Sequence, residues 1–227
     1  MDPLVSLQTR LGHVFANPAV LREAITHPSY FYEHPTEGPH NQRLEFLGDA
    51  VLQLIITEAI YARFPAEPEG VLSRHRAALT NGRHLAHLSL ELGLDAALLL
   101  GGSEASTGGR ARASNLEDVF EALVGALQLD AGPTRTREIV LAAYGPLGPR
   151  LALGLQDNPK GRLQELIQPT HGTTPLRYET AQIAGPDHAR EFASKVFLGE
   201  RLLGEGGGPS KKAAEEAAAR AALATGL

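Results

Sequence analysis

"QRLEFLGDAVL", residues 42–52, opens an apolar run that continues through Leu54, Ile55 and Ile56. Its length and spacing predict a helix over about 43–64, stopped by "FPAEPEG". Glu45 and Asp49 interrupt it four residues apart, with Gly48 between them. On a helix, positions three and four apart share a face, so Gln42, Glu45, Asp49, Leu52 and Ile56 form one stripe. Two of those residues favour burial. An unpaired carboxylate taken out of water costs several kcal/mol, and two together repel. Buried arginines, protonation of one acid, or a divalent cation would compensate. The plain alternative is a solvated edge at the helix start, where the helix dipole favours acids. That covers Glu45 better than Asp49, which lies two turns in.

"NLEDVFEALVG", residues 115–125, repeats the pattern. Ser114 and Glu117 have the S-x-x-E spacing of a capping box, which assigns Glu117 to the helix end. Asp118 and Glu121 then share a face of a helix otherwise built from Phe120, Leu123 and Val124. Two acid pairs on two apolar helices strengthen the case for a cation. With oxygen ligands only, that cation is Mg²⁺, with Mn²⁺ as the substitute. Such sites serve phosphoryl chemistry. Glu69, in the loop after the apolar helix, is an additional acid whose simplest reading is a solvated loop residue.

The rest of the chain narrows the classes. It has 227 residues, 43% hydrophobic and 21% charged, as in ordinary globular proteins. It has no cysteine, which excludes disulfides, zinc–thiolate sites and cysteine nucleophiles. Nine histidines show no H-E-x-x-H spacing, and there is no nucleophile elbow or Walker loop, hence no nucleotide cofactor. The N-terminus lacks a signal-peptide pattern, and no stretch has the length of a membrane span, so no membrane partner and a cytoplasmic location are expected.

Charge divides the chain. Residues 1–157 carry 12 arginines, no lysine and 18 acids, whereas residues 158–227 carry nine basic and eight acidic residues. The shift argues for two modules. The first reads as all-α: helices in 4–30, then the apolar helix, an alternating helical stretch over 71–94, a basic loop over 101–114, a helix ended by Gly132–Pro133, and one more after it. The second reads as α-β-β-β-α, with a helix in "PKGRLQELIQ", strands in "RYETAQIAG", "REFASKVFLG" and "ERLLGEG", and a closing helix in "PSKKAAEEAAARAALA". The expected division is 1–153, a linker at 154–158, and 159–227.

The junction "GGGPSKKAAEE" is a third constellation. A helix start offers backbone N–H groups to phosphate, and Lys211 and Lys212 add charge. The alternative is a solubilising end to an Ala-rich helix.

Together these residues resemble the bacterial ribonuclease III family. "HNQRLEFLGDAVL" is similar to its signature, "AITHPS" to its upstream T-H-x-S segment, and "EDVFEALVGALQLDAG" to its second acidic helix. "FPAEPEG" resembles the segment carrying a further acid. "PKGRLQE" and "GPSKKAAEEAAA" resemble the first and last helices of a double-stranded-RNA-binding domain. The matches span nearly the whole chain, in order.

The resemblance implies an all-α endonuclease domain followed by a small α+β double-stranded-RNA-binding domain. It implies a homodimer that hydrolyses duplex RNA, leaving 5′-phosphates and short 3′ overhangs, with ribosomal and messenger precursors as substrates. Carried over by motif, Glu45, Asp49, Asp118 and Glu121 are the catalytic and metal set, and Glu69 is auxiliary. Phe46 belongs to the dimer contact. Gln164, His188, Ser210, Lys211 and Lys212 form the RNA face. Gln42 departs from the pattern, standing where the family usually has Glu, and Gly161 stands where relatives often have a polar residue. Gln42 is the one feature favouring an alternative, a catalytically weak or inactive duplex-RNA-binding regulator.

Overall fold

The computed structural model describes residues 2–156, 158–172, 176–185 and 190–225. The chain forms two compact units, Met1–Leu151 and Ala152–Leu227.

The first unit is helical. It contains α1 (Pro3–Leu11), α2 (Pro18–Ala24), α3 (Pro28–Glu33), α4 (Gln42–Arg63), α5 (Glu69–Thr80), α6 (Gly82–Leu92), α7 (Leu94–Ala97), α8 (Gly102–Ser106) and α9 (Ala113–Tyr144). α10 (Leu147–Gln156) runs across the division between the units, so 154–156 are helical rather than irregular. The first three helices share one start signal. Each opens on a proline, behind a side chain of Asp2, Asn17 or His27 that accepts a backbone N–H of the first turn. Proline's absent N–H costs nothing there, and its φ already suits a helix.

α4 and α9 are the central pair. Leu52, Ile56, Val119 and Ala122 are fully buried between their neighbours. Tyr144, at the end of α9, is also fully buried and donates its hydroxyl to the Leu79 carbonyl at 2.9 Å. Gly132 (φ 75°, ψ 171°) breaks α9 ahead of Pro133, where the sequence predicts a stop, and a second helical arm continues to Tyr144.

Two expectations change. The alternating stretch over 71–94 is not one helix. Asn81 is extended (ψ 152°) and turns its side chain to accept the His84 N–H, which ends α5 and starts α6. The expected loop at 101–114 holds α8 and a 3₁₀ turn at Gly109–Ala111. Glu104 organises this segment: it receives the Asn115 amide at 2.7 Å and pairs with Arg112. Small and polar residues resemble a flexible loop in sequence until such long-range partners are known.

The second unit comprises α11 (Pro159–His171), β1 (Leu176–Ala184), β2 (Glu191–Leu198), β3 (Arg201–Gly208) and α12 (Lys211–Ala224). The sheet is antiparallel in the order β1-β2-β3. Its core joins Leu163 and Ile167 of α11, Val196 and Leu203 of the sheet, and Ala218, Ala219 and Ala222 of α12. The glycines of β3 serve this packing. A Cβ on Gly204 would lie 2.5 Å from the Ala218 carbonyl, and one on Gly206 would lie 2.4 Å from the Ala218 nitrogen. Alternate positions of a strand face the same way, so this glycine row lets α12 lie directly on the strand backbone. Lys160 pairs with Glu215 at 2.6 Å and lies over the Tyr178 ring at 4.4 Å, tying α11 to α12 and β1. The fold is the expected one, an all-helical unit followed by an α-β-β-β-α unit.

Candidate active site and RNA interface

The site begins with a close crossing of α4 and α9. A Cβ on Gly48 would lie 1.7 Å from the Glu121 carbonyl oxygen, and one on Gly125 would lie 2.2 Å from the Leu44 carbonyl oxygen. No side chain fits at either point, so the two backbones touch. The acids flank this contact: Glu45 and Asp49 on α4, Glu117, Asp118 and Glu121 on α9.

The electrostatics show that the acids share one environment. Burial, then Asp49, Glu117, Glu45 and Asp118 in turn, push the Glu121 carboxyl up to about 8. Burial and then Glu45 push Asp118 up to about 6. Glu45 is raised by burial, Glu117 and Asp49. Glu117 is raised by burial, Asp118 and Asp49. Every charge acting on these four is another carboxylate of the set. Among the described residues no buried arginine, one of the three compensations open from the sequence, is a cause of these four shifts. Protonation and a cation remain.

The donors suit a hard divalent cation: carboxylate oxygens only, with Glu45, Glu117, Asp118 and Glu121 half-buried and Asp49 exposed beside them. As they stand, no three His, Asp or Glu side chains among the described residues are grouped to hold an ion. This is compatible with Mg²⁺, which keeps several waters and takes few protein ligands rather than a closed cage.

Glu117 is the residue that sequence reasoning missed. The capping box does not form: α9 starts at Ala113 behind Arg112, without a side-chain cap. Glu117 lies past the first turn, so its carboxylate is free to join the acids. The signal available in the sequence was its spacing from Glu121, four residues on the same face.

Glu69 stands apart. It is exposed at the start of α5 and accepts the Ser73 hydroxyl at 2.7 Å, and it is not among the charges acting on the cluster. Gln42 is the exposed first residue of α4. With Phe46, His40, Glu23 and Leu129 it lines a cavity of about 680 Å³. Phe46 itself is 82% exposed, unusual for a phenylalanine in so apolar a helix.

In the second unit, Lys211 and Lys212 are exposed on the first turn of α12. Ser210 is the cap, and its hydroxyl accepts the Ala213 N–H at 3.1 Å. Gln164 is half-buried on α11. Gly161 donates its N–H to Asn158 Oδ1 at 3.0 Å, and a Cβ there would crowd that capping amide. His188 lies outside the described residues.

Comparison with known proteins gives consistent matches. A Ribonuclease-III-like family model matches residues 17–146, and a double-stranded RNA binding motif matches residues 159–225. Ribonuclease 3 of Bdellovibrio bacteriovorus is 44% identical over 221 residues, covering 96% of this chain and 94% of that one. Ribonuclease 3 of Carboxydothermus hydrogenoformans is 42% identical over 224 residues, covering 98% and 95%. The crystal structure of the nuclease domain of ribonuclease III from Campylobacter jejuni superposes with a TM-score of 0.58 at 36% identity, covering 63% of this chain and 94% of that one. A second structure of that domain, described as flexible in a region involved in dimer formation, gives 0.59 at 35% identity, covering 63% and 97%.

Proposed function

The chain belongs to the ribonuclease III family and is an endoribonuclease of double-stranded RNA, and we propose that it cuts by cation-dependent hydrolysis at the α4–α9 crossing. The observation that carries this is the backbone contact at Gly48 and Gly125, which holds acids from two helices in one repelling set.

Glu45, Asp49, Asp118 and Glu121 would hold the cation, Mg²⁺ or Mn²⁺. When bound, it activates water for attack on phosphorus and neutralises charge on the leaving oxygen. The chain's own contribution is placement: the backbone contact at Gly48 and Gly125 sets how closely the two acid-bearing helices approach. In the reaction the water oxygen bonds to phosphorus and the P–O3′ bond breaks. The proton passes to O3′, leaving a 5′-phosphate and a 3′-hydroxyl. A homodimer through Phe46 and its surrounding cavity would bring two such sites to one duplex and produce a short 3′ overhang. Glu69 would act from the edge of the site.

In this reading residues 1–153 cut and residues 159–227 hold the duplex, joined through 154–158. The RNA face would comprise Gln164, His188, Ser210, Lys211 and Lys212. Such domains read A-form shape and 2′-hydroxyls more than sequence, which suits structured precursor RNAs, ribosomal ones among them, in the cytoplasm. A binding-only regulator draws on Gln42 alone, and that residue lies beside Phe46 while Glu45, Asp49, Asp118 and Glu121 are all present.

Glu121→Gln tests the proposal. Cleavage of duplex RNA in Mg²⁺ should fall by at least about 100-fold, as expected when a group acting directly on the reacting centre is lost, with duplex affinity unchanged. Undiminished cleavage by that variant refutes the assignment.

A further inference from the structure

The Glu117 carboxylate is held in a defined place. A Cβ on Gly82, the first residue of α6, would lie 2.1 Å from Glu117 Oε2, 2.5 Å from Cδ and 2.7 Å from Oε1. Gly82 therefore leaves the space that this carboxylate fills. Glu117, Glu121 and Gly125 follow one another at spacings of four on α9, and this is the stripe that meets α4, where Gly48 touches the Glu121 carbonyl and Gly125 the Leu44 carbonyl. The charges of Glu117 and the other acids oppose one another there. It is the fifth residue of α9, with no capping bond to explain it, and the dipole effect has faded at that depth.

We propose that Glu117 is a fifth carboxylate of the divalent-cation site, seated by Gly82 so that it binds the cation or one of the cation's waters. This rests on the reading of the α4–α9 acids as a cation site. A purely structural acid has no need of a glycine seat beside four other carboxylates, each of which its charge opposes. A residue that supplies charge to a dication gains from both features.

The seat gives a test that leaves every carboxylate in the chain. The atoms meeting a Cβ at position 82 are the far end of a flexible side chain, so Gly82→Ala is accommodated by swinging Glu117 away. Mn²⁺ alone is titrated into the full-length protein without RNA, for wild type, Glu117→Gln, Gly82→Ala and Glu121→Gln. Glu117→Gln and Gly82→Ala should each weaken Mn²⁺ binding by roughly 10-fold or more, the scale seen when groups supporting a metal site are removed. Without metal, Glu117→Gln should also melt at a higher temperature than wild type, because a like charge has left the cluster. A lower melting temperature would identify Glu117 as a helix-stabilising acid and overturn the proposal. If Glu121→Gln weakens Mn²⁺ binding but the other two variants bind as wild type, this inference fails and the cation site stands. If Glu121→Gln and wild type bind Mn²⁺ equally, the cation site itself fails, and this inference with it.

Discussion

A Cβ atom on Gly48 would sit 1.7 Å from the carbonyl oxygen of Glu121. The glycine that seems out of place in an apolar helix, about 1 kcal/mol less favourable there than alanine, is the point where that helix meets its partner. The residue it touches is one of the acids. The contact and the proposed chemistry thus share the same turn of α9.

Gly48→Ala should therefore damage both stability and activity. The clash is with backbone and cannot be relieved by a rotamer, so the helices must separate. Overpacking of this kind costs about 1–3 kcal/mol. Thermal melting and cleavage rate measured together should fall together. Full activity in a protein that melts normally would show that the crossing does not set the geometry of the acids.

Stability without metal should depend on pH in a particular direction. Asp118 and Glu121 have folded-state values of about 6 and about 8, above the ordinary 3.8 and 4.5. A group whose pKa is raised by folding stabilises fully below its unfolded value and loses that contribution as pH rises through the folded one. In a chelator, the melting temperature should decline between about pH 5 and pH 8. Saturating Mg²⁺ should flatten the decline. A melting temperature that rises over this window would contradict the repelling cluster.

Phe46 is 82% exposed, so its removal leaves the monomer's core intact. Phe46→Asp should shift sedimentation from dimer towards monomer, weakening association by at least about 10-fold, with a change in melting of the monomer within about 0.5 kcal/mol. An unchanged dimer places the interface elsewhere.

Lys211 and Lys212 are exposed on the first turn of α12, behind the Ser210 cap. If both meet phosphates, the double substitution to Ala should weaken duplex binding and reduce the slope of log affinity against log salt by about 2. An unchanged slope would remove them from the RNA face.

Much of the molecule is legible in sequence because it depends on local chemistry. The stop at Gly132–Pro133 and the starts of α1 and α2 follow from backbone preferences of proline and glycine. The strand and helix order of the second unit follows from its periodicity. Asn81 was harder to read: Asn is tolerated inside helices, and only its bond to the His84 N–H makes it a boundary. Glu117 satisfies two patterns at once, three residues after Ser114 as in a capping box and four residues before Glu121 on one helix face. Which one forms depends on where the helix begins and on whether Gly82 leaves room.

By itself, the sequence determined that two apolar helices carry acid pairs, that a separate α-β-β-β-α module follows, and which helix starts and stops bound them. Residue type and spacing suffice for that, because each rests on interactions within a few residues. Only the tertiary structure decided that α4 and α9 touch through Gly48 and Gly125 and that Glu117 joins the acids. Those depend on contacts between residues far apart in the chain, and on which atoms are absent where two backbones meet.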